Sequence, residues 1–376
     1  MIKLMHFIHG FNTGGAETLV KNYMTYLDRS VFDVTVLCIE HFPDSPYEDY
    51  LKRQGIKVIY LCDNIKHFDS RRLDHRILNH IEIYLQVRKL IREISPDIIH
   101  FHLALQNYIR FAKPKKNTIM FYTQHFDFSR MIEDRIQMRH LKWVISHYPT
   151  EIIALHSQMK KEMSHLISPQ YIDVLNNGID IDQYQNLPSK VEKRKALHID
   201  ENALLIVHVG RFDKIKNHDF LLDVFNDIKK KRPSASLLLI GSGTEEKAIL
   251  DKVKRLHLED DVHILSNRDD VNECLQMADG AIFPSFSEGM PISLVEMQAA
   301  GLPIVASDVI SEEIKVSNLI AFLPLGNAAQ WADTLIDHIE RREEVIYDHL
   351  EDWDIKESVR KLEGLYLERY ETWNHE

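Results

Sequence analysis

Residues 283–308 read FPSFSEGMPISLVEMQAAGLPIVASD. The apolar residues that end at Phe283 are typical of the end of a buried strand, and the turn-forming segment 284–289 follows them. Pro291 suits the first helical position, where its missing N–H costs nothing, and Gly301 suits the position just past a helix end. A second apolar run begins at Ile304. The stretch therefore predicts strand, loop, helix and strand, the repeating unit of a parallel α/β sheet.

Two carboxylates stand in this stretch, Glu288 in the predicted loop and Glu296 in the predicted helix. The amides around Gly289 and Met290 would lie at the helix N-terminus, where unpaired N–H groups bind anions. One interpretation places a diphosphate on these amides and a ribose diol on Glu296. The other is a surface loop followed by a solvated helix glutamate. The spacing by itself leaves both interpretations open.

The same stretch resembles the signature of the retaining, nucleotide-sugar-dependent glycosyltransferases with the GT-B architecture, glycosyltransferase family 4. The resemblance rests on Glu288, seven intervening residues and Glu296, together with the neighbouring PS, EG, GLP and VASD elements. It implies that Glu288 and the amides after it hold the donor sugar, and that Glu296 binds the ribose hydroxyls. The implied nucleotide-sugar site in this stretch consists of Gly289, Met290, Pro291, Leu294 and Glu296.

The length and composition predict a two-domain soluble protein. A chain of 376 residues is too long for one ordinary core, and 44% apolar with 27% charged residues is typical of globular proteins. No apolar run approaches the ~18 residues of a membrane helix, and the apolar part of the N-terminus is too short for a signal peptide. The three cysteines are scattered and fit neither a disulfide framework nor a zinc site, which favours a reducing cytosol.

The charge is unevenly distributed. The net charge of -11 argues against general nucleic-acid binding. Residues 1–186 hold 23 of the 46 basic and 21 of the 57 acidic residues, a net of +2, which leaves -13 for residues 187–376. The two halves are therefore expected to meet different partners.

The N-terminal half begins with an apolar run that predicts a strand, followed by the loop GFNTGG at 10–15 and a helical pattern from Ala16. A strand, a glycine loop and a helix can cradle a phosphate, although these glycines do not form GxGxxG. They match the family's GGAE loop, which implies that Gly14 and Gly15 lie near the donor diphosphate and the acceptor. Glu17 also suits a first helical turn, because acidic side chains complement the helix dipole there.

Histidines accompany two further predicted strands. His100 and His102 face the same side of the first, and two such residues could begin a metal site. No third ligand at a telling spacing is visible in the sequence, so no metal is expected. His125 follows the second strand, where ligands of open α/β sheets gather. The resemblance implies that His125 contacts the donor sugar. The acid that usually follows directly is displaced to Asp127, whose role stays open.

The segment 130–147, RMIEDRIQMRHLKWVISH, is basic and partly aromatic, and Lys113, Lys115 and Lys116 precede it. A basic face that also carries Met, Trp and Ile side chains can rest on an anionic membrane. An ordinary solvated helix face is the alternative, and the sequence does not separate the two.

In the C-terminal half, Arg211 and Lys216 lie in a loop that follows a dense apolar run. Two fixed cations there suit a departing diphosphate. They match the family's GR-x4-K element, which supports that role. The resemblance adds Gly241 from a strand-ending turn, and Asn267 and Arg268 as nucleobase contacts. The neighbouring Asp269 and Asp270 lack the D-x-D context of metal-dependent transferases, and Asp270 is expected to cap the next helix.

The resemblance covers nearly the whole chain and implies two Rossmann-like α/β domains that face each other across a cleft. The expected bounds are 1–186 for an acceptor domain, 187–355 for a nucleotide-sugar domain, and 356–376 for a helix that packs back on the first domain. The predicted activity is glycosyl transfer with retention, from a donor expected to be a UDP-sugar to a glycan or lipid-linked acceptor in surface polysaccharide synthesis. Arg211, Lys216, Glu288 and His125 are the predicted catalytic residues, and neither a metal nor a cofactor is expected.

Three alternatives stay open at this point. A non-hydrolysing UDP-sugar epimerase shares the architecture, although the arginine–lysine and paired-glutamate elements favour a transferase. A sugar phosphorylase would use phosphate as the acceptor, and the sequence has no added phosphate motif. A catalytically silent binding subunit would not need the four motif residues intact. The expected location is the cytoplasm, with peripheral contact on the inner face of the cell membrane as the corollary of the basic segment.

Overall fold

The computed structural model describes residues 1–12, 14–65, 68, 73–125, 134–184 and 189–374. Two compact units make up the chain, one of Met1–Asn177 with Lys356–Glu376 and one of Gly178–Ile355. The expected boundary between residues 186 and 187 lies outside the described residues, as do Asp127 and residues 130–133 of the basic segment.

The described residues of the first unit form a seven-stranded sheet in the order β3-β2-β1-β4-β5-β6-β7. Every pairing is parallel. The strands are β1 Ile2–Ile8, β2 Phe32–Cys38, β3 Lys57–Tyr60, β4 Ile98–His102, β5 Ile119–Thr123, β6 Thr150–Ala154 and β7 Ile172–Val174. The strand order reverses between β1 and β4, and open α/β sheets bind ligands beyond the carboxyl ends of strands at such a point.

Helices alternate with these strands, as parallel pairing requires. They are α1 Gly15–Tyr26, α2 Pro46–Arg53, α3 Leu73–Ile94, α4 Gln106–Ala112, α5 Arg135–His147 and α6 Ser157–Met163. All residues of β4, β5 and β6 are buried, because helices cover both faces of such a sheet. Polar residues on these strands therefore need partners inside the protein.

The second unit contains, in its described residues, a six-stranded sheet in the order β10-β9-β8-β11-β12-β13. Its pairings are parallel as well. The strands are β8 Leu205–Val209, β9 Ser236–Ile240, β10 Val262–Leu265, β11 Gly280–Phe283, β12 Ile304–Ser307 and β13 Ile320–Leu323. The helices are α7 Lys190–Ala196, α8 His218–Lys231, α9 Glu246–Arg255, α10 Val271–Gln276, α11 Ile292–Ala299 and α12 Ala328–Arg341. The predicted fold class, two Rossmann-like α/β domains, is confirmed.

Residues 283–308 comprise the end of β11, a loop, α11 and β12, and β11 pairs in parallel with β12. One detail of the prediction is wrong. Pro291 is the residue before the helix, with an extended backbone, and α11 begins at Ile292. Gly301 has φ +72°, the left-handed conformation expected of a residue just past a helix end. The buried Gln298 holds α11 in place, since its side-chain oxygen accepts the N–H groups of Val316 and Ser317 at 2.9 and 3.0 Å.

The last helix, α13 Ile355–Asn374, packs on the sheet of the first unit. The buried Tyr366 ring meets Phe121 and Phe32 edge-on at 4.7 and 5.8 Å between centroids. Arg369 Nε donates to Glu151 on β6 at 2.7 Å, and burial raises the pKa of Glu151 to about 7 despite this cation. Among the described residues, no helix is long and apolar enough to cross a membrane.

Candidate functional site

The loop that follows β8 positions Lys216. Asp213 begins a short turn of helix there, because its side-chain oxygen accepts the N–H groups of Ile215 and Lys216 at 3.0 and 3.2 Å. Asn217 ends the turn in the left-handed conformation, with φ +52°. Asparagine tolerates this conformation better than most residues.

This loop is joined to the loop that follows β11, the neighbouring strand. Asn217 Nδ2 donates to the Pro284 carbonyl at 3.2 Å, and the Phe286 N–H donates to the Ile215 carbonyl at 2.8 Å. Lys216 Nζ then reaches Glu288 and donates to its Oε1 at 2.6 Å. Both side chains are mostly enclosed, at 15% and 13% exposure. The structure thus brings together two of the predicted catalytic residues.

The other predicted residues of this stretch lie around that pair. Gly289, Met290 and Pro291 are buried before α11, and Arg211 is exposed in the loop after β8. The Leu294 side chain lies in the core with no exposed surface. Glu296 is half-buried. The other residues in the first two turns of α11 are buried, apart from the half-buried Ser293. It is therefore the acid of α11 that a ligand can reach.

Gly241 permits two strand-ending loops to approach each other. Its φ is +154°, and a Cβ atom at this position would lie 2.0 Å from the carbonyl oxygen of Gly210. The Gly210 N–H also donates to the Ile240 carbonyl at 3.0 Å. The loop that carries Arg211 and Lys216 can therefore lie directly against Gly241, because glycine has no side chain.

Asn267 and Arg268 follow β10. Arg268 Nε donates to Asp270 Oδ1 at 2.6 Å, and Lys193 Nζ donates to the other oxygen of Asp270. Burial would raise the pKa of Asp270, but these two donors hold it below its usual range. Asp270 is the N-cap residue of α10, as expected, but its side chain makes no capping hydrogen bond to the helix. The two cations take up its oxygens instead.

The first unit presents Gly14 and Gly15 at the start of α1. The Gly14 carbonyl accepts both the N–H and the hydroxyl of Thr18, each at 2.8 Å. A Cβ atom at Gly15 would meet nothing within 4 Å. Glu17 lies in the first helical turn, as expected, and is buried. Open space beside Gly15 leaves room for a ligand to approach the backbone.

His125 lies just beyond β5 and belongs to a cluster of histidines. Its Nε2 atom is 3.1 Å from Nδ1 of His102, and Nε2 of His102 is 3.1 Å from Nδ1 of His6. The His100 ring stacks on His102 with the centroids 4.2 Å apart. Burial lowers the pKa of His6 and of His125 to about 3. The pKa values of His100 and His102 lie well below the ordinary range for the same reason.

His6 was not predicted as a member of this cluster. The sequence indicates His100 and His102 as two possible ligands without a third, whereas one ligating nitrogen each from His6, His100 and His102 lies within 4.8 Å of the others. The parallel register pairs His6 on β1 with His100 on β4. Knowledge of which strand lies beside β4 would have found the third histidine, but the sequence pattern alone does not supply it.

Comparison with known proteins places the two units in described families. Residues 13–183 match the family model "Glycosyltransferase Family 4", and residues 189–345 match "Glycosyl transferases group 1". The two matches together take in most of the chain and all the predicted site residues. The assignment of a role to each residue stays a prediction.

Similar proteins carry related names. A Staphylococcus aureus protein named capsular polysaccharide biosynthesis glycosyltransferase CapH is 23% identical, over 98% of this chain and 99% of its own length. The UDP-Gal:alpha-D-GlcNAc-diphosphoundecaprenol alpha-1,3-galactosyltransferase of Escherichia coli is 23% identical, over 81% and 79%. The structure of Anabaena Alr3699/HepE in complex with UDP and glucose aligns with a TM-score of 0.72 and 19% identity, over 96% and 94% of the chains. That likeness shows the shared fold.

The geometry at Gly241 predicts that Gly241→Ala destabilises the second unit. The new methyl group would collide with the Gly210 carbonyl, and strain of about 1–3 kcal/mol lowers Tm by ~2–4 °C per kcal/mol in a unit of the size of Gly178–Ile355. Gly364→Ala is the matched control, because Gly364 lies in α13 with nothing within 4 Å of the added Cβ. Alanine there should hold or raise Tm. Thermal unfolding decides, and equal Tm values for Gly241→Ala and wild type would contradict the packing argument.

Proposed function

This chain is built from a family 4 and a group 1 glycosyltransferase domain, and on that premise we propose that it transfers a sugar from a nucleotide-diphosphate donor with retention of anomeric configuration. The observation that carries the proposal is the contact between Lys216 and Glu288 at 2.6 Å. It joins the two motifs, GR-x4-K and E-x7-E, at one point. The epimerase alternative finds no support in the matched families or in the names of the relatives.

The ion pair leaves both side chains able to bind the nucleotide sugar. An ammonium group can donate three hydrogen bonds, and the contact with Glu288 uses one of them. The others are available to phosphate oxygens. A carboxylate accepts several hydrogen bonds, so Glu288 can also receive hydroxyl groups of the donor sugar. In this arrangement the same pair orients the sugar and the diphosphate with respect to each other.

The chemistry proposed for the site follows from its charges. The sugar–phosphate bond breaks as the diphosphate gains negative charge, and Lys216 and Arg211 stabilise that charge. Glu288 is already engaged by Lys216, which makes it a poor general base. The departing phosphate oxygen can instead take the proton of the acceptor's hydroxyl group. The acceptor oxygen then attacks on the same face of the sugar. Bond formation on the face from which the diphosphate leaves retains the anomeric configuration.

The nucleotide is proposed to be a uridine diphosphate. The Escherichia coli relative is named for UDP-Gal, and the Anabaena protein of similar fold is in complex with UDP. The ribose would be held by Glu296, the accessible acid of α11. The acceptor is proposed to be a glycan or lipid-linked sugar of surface polysaccharide synthesis, in line with the names of the two relatives.

Contact with an anionic membrane is proposed for the first unit. A stripe of large apolar side chains on α3 is exposed, and it includes Ile77 at 55%, Ile81 at 52% and Leu85 at 62%. Helix α4 packs between α3 and α5 and exposes Phe111. Basic residues of the same region are Lys113, Lys115, Lys116, Arg135, Arg139 and Lys142. Apolar groups among cations suit the boundary of an anionic lipid surface.

The role of Lys216 and Arg211 in stabilising the diphosphate is tested by Lys216→Ala and Arg211→Ala. Each substitution is expected to lower kcat on the order of 10²-fold. Lys214→Ala is the control, because Lys214 is an exposed lysine in the same turn and its loss makes the same change in net charge. It should keep wild-type turnover. Assays with UDP-sugars measure kcat, and a thermal melt verifies folding. Wild-type turnover in Lys216→Ala would contradict the role given to the ion pair.

Stereochemistry tests the proposed reaction. Donors are first found by thermal shift, since a ligand at a hundred times its Kd adds about 2.7 kcal/mol of stability. With an α-linked UDP-sugar and an acceptor that the enzyme uses, the product should carry an α-linkage. NMR of the product's anomeric proton identifies this linkage directly. Glu288→Gln should lose most activity, and added azide should not restore it. A β-linked product would contradict the mechanism.

Membrane contact is tested with sedimented vesicles. Vesicles that contain anionic lipid should retain the protein at low salt and release it as salt rises, because screening weakens exposed charge pairs. Reversal of charge at Lys115 and Lys116 should weaken retention, and reversal at Lys247 and Lys254 of α9 in the other unit is the matched control. Equal binding to neutral and anionic vesicles would rule the contact out.

A further inference from the structure

A continuous chain of hydrogen bonds runs through the sheet of the first unit and ends at His125. His100, His6 and His102 each use both ring nitrogens, and the Tyr366 hydroxyl makes two contacts. The links are Thr123 Oγ1 to His100 Nε2 at 2.7 Å, His100 Nδ1 to the Tyr366 hydroxyl at 2.5 Å, that hydroxyl to His6 Nε2 at 3.4 Å, His6 Nδ1 to His102 Nε2 at 3.1 Å, and His102 Nδ1 to His125 Nε2 at 3.1 Å. We refer to these six residues as the relay.

The relay is closed to water along its length and accessible at one end. Thr123, His100, His6 and His102 have no exposed surface, and neither has Tyr366. His125 is half-buried beyond the carboxyl end of β5, where ligands of such sheets bind. The relay therefore connects the returning helix α13 with the edge of the sheet that is expected to hold the donor.

The proton count of the relay fixes its direction. Burial keeps its imidazoles neutral at working pH, because it lowers all four pKa values. A neutral imidazole has one N–H and one lone pair, so a ring that accepts at one nitrogen must donate at the other. Each link then sets the next. The protons of the relay all point toward His125, or all point away from it.

The Thr123 hydroxyl selects between these two directions. In the part of the chain that the structure describes, its hydrogen-bond partner is His100 Nε2 alone. A buried O–H group without an acceptor is costly, so Thr123 donates to this nitrogen. His100 then donates to Tyr366, Tyr366 to His6, His6 to His102, and His102 to Nε2 of His125. The remaining proton of His125 is left on Nδ1, on the opposite side of its ring.

We propose that the relay sets the tautomer of His125, so that its Nδ1–H is offered as a hydrogen-bond donor to an oxygen of the bound sugar. Tyr366, His6 and His102 are then positioning residues, which act through His125 and touch no substrate. The contact with the sugar rests on the function proposed above, whereas the tautomer does not. Helix α13 then takes part in the site, because the Tyr366 hydroxyl links His100 to His6.

A metal ion is the competing explanation for the cluster. His6, His100 and His102 offer nitrogens within 4.8 Å of one another. Both nitrogens of His100 already face hydroxyl groups, however, at 2.7 and 2.5 Å. A ligand bond from either nitrogen would break the relay, so the two explanations exclude each other.

The first test reads the tautomer directly. Protein labelled with ¹⁵N-histidine is examined by long-range ¹H–¹⁵N correlation, and the His125 signals are assigned by their loss in His125→Gln. The wild type should show a single tautomer with the proton on Nδ1. Tyr366→Phe, which removes the hydroxyl and keeps the ring, should give a mixture of both tautomers. Thr123→Val should shift the signals in the same direction and keep the shape of the side chain.

Tyr23→Phe is the matched control. The Tyr23 ring lies 6.2 Å from His6 and 6.4 Å from His100 between centroids, and its hydroxyl is buried as well. Within the described residues that hydroxyl has no hydrogen-bond partner. Its removal should leave the His125 signals unchanged. A wild-type proton on Nε2, or a Tyr366→Phe spectrum equal to that of Tyr23→Phe, would overturn the proposal.

The second test separates the relay from the proposed function. In transfer assays Tyr366→Phe should lower kcat/KM by ~10-fold, in the range found for residues that orient a functional histidine, while Tyr23→Phe stays within about 2-fold of wild type. If no donor is turned over, the proposed function fails and the NMR result still decides on the tautomer. Zinc titration of chelator-treated protein tests the metal. Stoichiometric binding that is lost in His6→Asn would overturn the relay.

Discussion

The contact between Lys216 and Glu288 is the interaction on which the arrangement of the second unit's site depends. It spans 72 positions in the chain and becomes possible because β8 and β11 are neighbours in the sheet. Two further hydrogen bonds join the loops, from Asn217 Nδ2 to the Pro284 carbonyl and from the Phe286 N–H to the Ile215 carbonyl. The pair is largely enclosed, so its charges are weakly screened and its geometry is held firmly. A nucleotide donor would then meet an oriented cation and an oriented carboxylate at the same place.

Close backbone approach is the second constraint on this site. The loop that carries Arg211 and Lys216 can lie where it does because Gly241 has no side chain to collide with the Gly210 carbonyl, 2.0 Å from its Cβ position. Arg268 and Asp270 show the same dependence on neighbours, since Lys193 of α7 completes their pairing. The positions of these charges thus depend on segments that the parallel sheet brings side by side.

The constraint in the first unit is the burial of polar histidine side chains. Fully covered strands leave His6, His100 and His102 without water, so each must find hydrogen-bond partners within the protein. Neutral rings that donate on one side and accept on the other satisfy one another, and the hydroxyl groups of Thr123 and Tyr366 complete the set. Because Tyr366 comes from the last helix, the site edge of this sheet is coupled to a segment that follows the second unit in sequence.

The sequence by itself determined the elements and their class. Apolar runs, the loop before Pro291 and the stop at Gly301 predicted β11, α11 and β12, with an error of one residue at the start of the helix, because these signals act over a few neighbouring residues. The resemblance to the family's motifs also nominated Lys216, Glu288 and His125. Only the tertiary structure decided their partners. His6 joins His102 across 96 positions and Asp270 binds Lys193 across 77, so both depend on which strands and helices lie side by side. Local periodicity carries no information on that order, and this is why the third histidine and the ion pair of Asp270 with Lys193 could not be predicted from the sequence.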